Sequence, residues 1–152
     1  MSVDDPRVFI QRYFTAVDEQ RFGDVGAMFG PSYVAHVDSM PPMSLAEVLP
    51  FMGVFFGAFP DLRHRVEDVL VDRDRAAARI VIEGTHQGEL MGVPPTQRPV
   101  SFGAINIFHF SDGVIAEHWI TTDTLGLLQQ IGAIPAPAHR EGVSQRFSPD
   151  CS

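Results

Sequence analysis

The chain has 152 residues, 45% of them hydrophobic, and a net charge of −8, which suits a single domain with a substantial core. That acid excess argues against a nucleic-acid binder, whose affinity comes mostly from Lys and Arg neutralising phosphates, and it disfavours attachment to anionic membranes. The acidic residues are scattered, so they read as solubility rather than as a binding patch.

The opening stretch "MSVDDPRVFIQRYF" has no basic segment ahead of an apolar core, so no signal peptide is expected. No apolar run is long enough to span a bilayer, and the expectation is a soluble, cytoplasmic protein. Asp5 can cap a first helix that has Pro6 at its first position, where a missing N–H costs nothing. Phe9, Tyr13, Ala16 and Val17 recur at helical spacing, with Ile10 and Phe14 widening the stripe. "GDVGAMFGP" reads as a short second helix stopped by Gly30 and Pro31, and "SYVAHVD" as a short strand.

Ser44 and Glu47 form a capping box for a third helix over "LAEVLPFMGVFFGAF". Pro50 falls inside this run, so the helix is kinked there or begins there. The run is apolar almost all round, as in a helix buried on more than one side or lining a cavity. Long strands follow: "DLRHRVEDVLVD", "DRAAARIVIEGTHQG", then after the loop "VPPTQRP" come "VSFGAINIFHF", the turn "SDG" and "VIAEHWITTD". "TLGLLQQIG" reads as a closing helix capped by Asp123 or Thr124 and stopped by Gly132. Helices first and strands in succession predict an α+β domain, with helices on one face of a mainly antiparallel sheet. The domain is placed at 1–134. Residues 135–152 form a tail, flexible or docked on a partner subunit, that contains His139 and the single cysteine, Cys151, which has no partner for an internal disulfide.

The ordered motifs "GTHQGELMGVPPTQRPVSF", "DGVIAEHW" and "DTLGLLQQIG" strongly resemble the SnoaL-like polyketide cyclase family, and "FPDLRHRVEDVLV" and "YVAHVD" match it more loosely. The resemblance runs from about residue 7 to residue 134. It implies a cone-shaped, curved antiparallel sheet around a deep apolar pocket closed by about three N-terminal helices, a scaffold shared with ketosteroid isomerases. It implies intramolecular aldol ring closure of an aromatic polyketide ester without metal or cofactor, and a homodimer paired through the exposed sheet face. Relatives on the scaffold perform hydroxylation, epoxide opening or isomerisation, so the fold alone does not fix the chemistry.

Carried over residue by residue, the family's acid/base aspartate falls on Ile120 and its assisting histidine on Asn106. An isoleucine cannot move a proton, so the aldol mechanism does not transfer intact. The family also usually has glycine where Gln97 stands. A two-residue "DG" turn would set Asn106 opposite Trp119, and a three-residue "SDG" turn would set it opposite His118. The sequence fits both. The implied site needs Asn106 and Ile120 on one face, which selects the three-residue turn. That face carries Ala104, Asn106, Phe108, His118, Ile120 and Thr122, and the opposite face carries Trp119.

From this register His118 is the candidate general base and Asn106 the group that polarises a carbonyl, with an equal case for both as structural partners. His36, near the pocket mouth, and Asp123, more readily a helix cap, are further catalytic candidates. Ile120, Phe108, Phe51, Phe55, Phe59, Met91 and Tyr13 are candidates for the ligand-contacting wall, and "GELMGVPPTQ" for a lid. His64 and His109 read as ordinary sheet residues and His86 as structural. Six histidines invite a metal, but no pair has compact ligand spacing. Three functions remain open: a cofactor-independent cyclase or isomerase acting on a hydrophobic carbonyl compound, a catalytically disarmed relative that only binds or templates such a ligand, and a cofactor-free hydroxylase or epoxide-opening enzyme.

Overall fold

The computed structural model describes residues 5–136, so the expected tail falls almost wholly outside the described residues. Helix α1 spans Pro6–Asp18. Asp5 caps it as expected, its carboxylate accepting the Arg7 N–H at 3.0 Å. The apolar stripe is buried: Ile10 and Ala16 are fully enclosed, with Phe9, Tyr13, Phe14 and Val17 around them. A short helix α2 (Phe22–Ala27) follows and stops before Gly30 and Pro31. Those two residues instead belong to strand β1 (Phe29–Val37), which is longer than the sequence signals indicate.

After a two-residue strand β2 (Met43–Ser44) comes helix α3 (Leu45–Ala58), with both halves of its capping box formed by Ser44 and Glu47. It is continuous across Pro50, which lies inside it. All-round burial does not occur. Only Val48, Phe56 and Ala58 are enclosed, Val54 faces solvent, and Phe51, Met52 and Phe55 are half-buried because they border empty space. Strands β3 (Arg63–Asp72), β4 (Arg75–Thr85), β5 (Pro99–Ser111) and β6 (Val114–Thr122) then form a meander, and α4 (Thr124–Gln130) closes the domain. No helix is long and apolar enough to cross a membrane among the described residues.

The six strands form one curved, unclosed sheet in the order β2-β1-β6-β5-β4-β3. Every neighbouring pair is antiparallel except β1 with β6, which run parallel. The helices lie on the concave side and the core fills the space between, which is the α+β cone expected from the sequence.

The β5–β6 turn departs from expectation. Ser111 pairs with Val114, so the turn has two residues, and Asp112 (φ 54°) and Gly113 (φ 78°) are both left-handed, as a type I′ hairpin requires. Without correction, Asn106 would then face Trp119. A bulge at Ala116, the extra residue between the pairs Phe110–Ile115 and His109–Glu117, shifts β6 by one. Asn106 therefore sits opposite Ile120, and Phe108 opposite His118. The expected face composition survives, while the expected pairing of Asn106 with His118 is off by two residues.

The lid segment is built on tight backbone. Leu90 and Val93 bridge across a turn in which Met91 (φ 51°) and Gly92 (φ 80°) are left-handed. Gln97 is left-handed too (φ 61°), which explains why a glycine suits that position. Left-handed backbone costs a side-chain-bearing residue roughly 1–2 kcal/mol, partly offset by the greater freedom glycine loses on folding. Gln97→Gly is thus expected to raise stability by about 0.5–1 kcal/mol in denaturant unfolding, and an unchanged midpoint would show that the strain is relieved elsewhere.

Candidate functional site

Between α1, α3, α4 and the concave face of the sheet lies a cavity of about 170 Å³. A single water needs roughly 10–15 Å³ on the same measure, so the space suits a multi-atom organic guest. Its wall is mostly hydrocarbon and aromatic: Phe51, Phe55, Met52, Ile80, Phe102 and Ile120 are representative. Polar side chains at the wall come from five residues, Asp38, His64, Asn106, Thr122 and Thr124, besides the phenol of Tyr13.

Of the residues expected at the site, Tyr13, Phe51, Phe55, Met91, Asn106 and Ile120 border the cavity. Phe59 and Phe108 do not. Both are fully enclosed, Phe59 against His86 at 5.6 Å and Phe108 stacked on His118 at 4.3 Å. His36 lies on the other side of the sheet, its Nε2 2.6 Å from Glu117 and its ring stacked on Trp119. Asp123 caps α4, accepting the Gly126 N–H at 2.9 Å, which engages its carboxylate in the helix end. Neither His36 nor Asp123 contributes to the cavity wall.

His118 is the instructive case. It is fully buried behind the wall, and both ring nitrogens are engaged: Nδ1 lies 3.1 Å from the Tyr33 hydroxyl and Nε2 2.7 Å from Asn106 Oδ1. Burial lowers its pKa from the usual 6.5 to about 3, so the ring is neutral near pH 7. Burial raises the Tyr33 phenol pKa, keeping its proton in place. The chain of donors then has one direction. The Tyr33 O–H donates to Nδ1, the Nε2–H donates to Asn106 Oδ1, and the Asn106 amide N–H groups point away from that chain. Asn106 Nδ2 is buried and has no hydrogen-bond partner among the described residues, while Asn106 borders the cavity. His118 therefore lies behind Asn106 with both ring nitrogens engaged and does not border the cavity. Its neighbours on the cavity wall are Tyr13, whose ring meets it edge-on at 5.9 Å, and Asn106, while Phe108 stacks on it within the core.

This neutral histidine has a pH signature. Below pH 6.5 the unfolded chain takes up a proton that native His118 refuses until about pH 3. The unfolded state thus binds more protons in that window, and its contribution to stability is lost as pH falls from 6.5 toward 3, at about 1 kcal/mol per pH unit. Urea midpoints taken from pH 7 to pH 5 should decline more steeply in the parent protein than in His118→Gln, and parallel slopes would refute the assignment.

A second polar pair was not legible in the sequence. His64, on the inward face of β3, borders the cavity, and its Nδ1 lies 2.6 Å from Oδ1 of Asp18, the last residue of α1. The Asp18 Oδ2 accepts the His64 backbone N–H at 2.9 Å. The alternation of exposed Arg63 and Arg65 with inward His64 and Val66 was a readable sign of its face. The partner 46 residues away was not. Among the described residues no group of three or more His, Cys, Asp or Glu side chains is arranged to hold a metal ion.

A family model described as SnoaL-like polyketide cyclase matches residues 7–131. Aklanonic acid methyl ester cyclase AcmA of Streptomyces galilaeus is 38% identical over 79 residues, which is 50% of this chain and 55% of that protein, so the match spans about half of that relative's length. Nogalonic acid methyl ester cyclase of Streptomyces nogalater is 27% identical over 125 residues, covering 78% of this chain and 90% of the relative. Among solved structures, AclR of Streptomyces galilaeus, a candidate hydroxylase, superposes with a TM-score of 0.79 at 30% identity over 85% of this chain and 96% of that one. The match to the family model covers most of the chain, and the chain belongs to the SnoaL-like polyketide cyclase family.

Proposed function

We propose that this protein is a cofactor-independent cyclase that closes a ring in a hydrophobic, multi-carbonyl substrate of the aromatic polyketide ester class. The observation that carries this reading is the Asn106 amide, 2% exposed, its Nδ2 unpartnered among the described residues, at the wall of an otherwise apolar cavity. A buried donor without an acceptor costs about 1–3 kcal/mol, and a carbonyl oxygen of a guest relieves it. On this reading the same N–H stabilises the negative charge that develops on that oxygen during carbon–carbon bond formation. Ring closure is favoured over hydroxylation because both sequence relatives are ester cyclases. The outer sheet face, with Ile105 and Ile107 each about 40% exposed, supports a homodimer through that surface, which light scattering would check.

The direct test incubates the purified protein with nogalonic acid methyl ester or aklanonic acid methyl ester and looks for a ring-closed product of unchanged mass. A second reading rests on Ile120, which borders the cavity opposite Asn106 where the family keeps its carboxylate. On that reading the protein binds such esters without converting them. Saturable binding with no product would favour it, and Ile120→Asp would then gain cyclase activity of at least tenfold over the parent.

A further inference from the structure

The proposed reaction needs a group that removes a proton from carbon, and Ile120 cannot supply it. Three wall residues carry ionisable side chains, Tyr13, Asp38 and His64, and burial raises the Tyr13 phenol pKa so that it keeps its proton. The Asp38 carboxylate accepts the Thr122 backbone N–H at 2.8 Å and sits on left-handed backbone (φ 47°), which ties it to the end of β6. His64 differs in kind. Its Nδ1 is held by Asp18 at 2.6 Å, and its Nε2 has no hydrogen-bond partner among the described residues. The Phe14 ring stacks on the imidazole at 5.2 Å, and the cross-strand partner of His64 is Ile82, also a wall residue. The imidazole side chain is 12% exposed and the Asp18 carboxylate 21%.

A carboxylate on Nδ1 fixes the tautomer in which Nδ1 carries the hydrogen and Nε2 the lone pair, and it stabilises the imidazolium that forms when Nε2 takes up a proton. Two bonds to Asp18, one from the ring and one from the backbone, hold the orientation. A purely structural pair would serve to tie the end of α1 to β3, and this pair does that as well. The open Nε2 of a residue on the cavity wall is what a structural tie does not require.

Resting on the cyclase reading above, we infer that His64 is the proton-transfer residue of this site and that Asp18 is its positioning residue, a base on β3 replacing the missing carboxylate on β6. In the forward direction His64 Nε2 takes a proton from the substrate carbon next to the ester carbonyl. The electron pair left behind attacks the ketone carbon, a carbon–carbon bond forms, and the ketone π pair becomes an alkoxide. The imidazolium returns its proton to that oxygen, so the product is an isomer of the substrate and no redox partner enters. Asn106 Nδ2 hydrogen-bonds the carbonyl oxygen on which charge accumulates.

The test follows nogalonic acid methyl ester in D2O with the full chain, reading ring closure and deuterium uptake at the carbon beside the ester carbonyl. His64→Gln should lower kcat about 100-fold with KM within threefold and abolish protein-dependent deuterium uptake. Asp18→Asn should lower kcat at least tenfold. His64→Ala should recover activity when imidazole is added, a rescue that a structural role would not show. Should His64→Gln close the ring within threefold of the parent, or imidazole fail to rescue His64→Ala while the melting temperature is unchanged, the dyad is only a tie between α1 and β3 and the inference is overturned. If a large loss of melting temperature accompanies His64→Gln, the rescue experiment on His64→Ala decides in the same way. A parent protein that neither closes the ring nor exchanges the proton overturns the cyclase reading itself, and the dyad's role with it.

Discussion

Asn106→Leu is expected to cut kcat by about 10²–10³-fold while KM changes by no more than a few-fold. Leucine keeps the volume and the apolar contact with the guest, so ground-state binding is largely preserved. What it removes is the N–H at the cavity wall, and loss of one such donor at a developing oxyanion costs about 2.7–4 kcal/mol of transition-state stabilisation. The substitution also leaves the His118 Nε2–H without its acceptor at 2.7 Å. That adds a stability loss of about 1–3 kcal/mol, visible as a lower melting temperature, which must be measured alongside the rate. A folded Asn106→Leu protein that turns over at the parent rate would remove the basis of the proposed function.

Gly88→Ala is expected to destabilise the fold by roughly 3 kcal/mol, the upper range for forcing an extra methyl into packed structure. A Cβ at Gly88 would meet the Gly57 carbonyl oxygen at 2.1 Å and its carbonyl carbon at 3.0 Å. Both are backbone atoms at the end of α3, with no side chain to swing aside. The approach is close because Gln87 and Gly88 both donate to the Ala58 carbonyl, at 2.9 and 3.0 Å, closing the helix end with the start of the lid segment. An alanine there must break these bonds or move α3, whose Phe51 and Phe55 border the cavity. Gly57→Ala is the matched control, since a Cβ at that position meets nothing within 4 Å. Equal melting temperatures for the two variants would show that the contact yields cheaply.

Much of the fold could be read from residues because local chemistry and packing agree. Asp5 ahead of Pro6, Ser44 three residues ahead of Glu47, and the alternating residues of β5 each mark their element directly. The composition of the pocket face was also legible, though for a reason that hid a mistake. The two-residue turn would have rotated β6, and the bulge at Ala116 rotated it back. No residue type announces that bulge, because alanine needs no special backbone there. The catalytic candidates were less legible. Nothing local distinguishes a histidine that reaches a cavity from one set behind the wall, as His118 is behind Tyr13 and Asn106. Likewise nothing in the strand pattern of β3 indicates that Asp18 on α1 would meet His64, since the contact exists only once the helix docks.

The cavity wall draws on α1, α3, α4, strands β1 and β3 to β6, and Met91 in the lid segment, from Tyr13 to Leu127 in the chain. Among the described residues no single element forms the wall by itself. A guest therefore binds only the fully assembled protein, and its binding free energy adds to the free energy of global unfolding rather than to that of any one region. At a free concentration of 100 times the dissociation constant this addition is about 2.7 kcal/mol. Thermal melts across a panel of polycyclic carbonyl compounds can thus rank affinities directly, without knowledge of the reaction each undergoes.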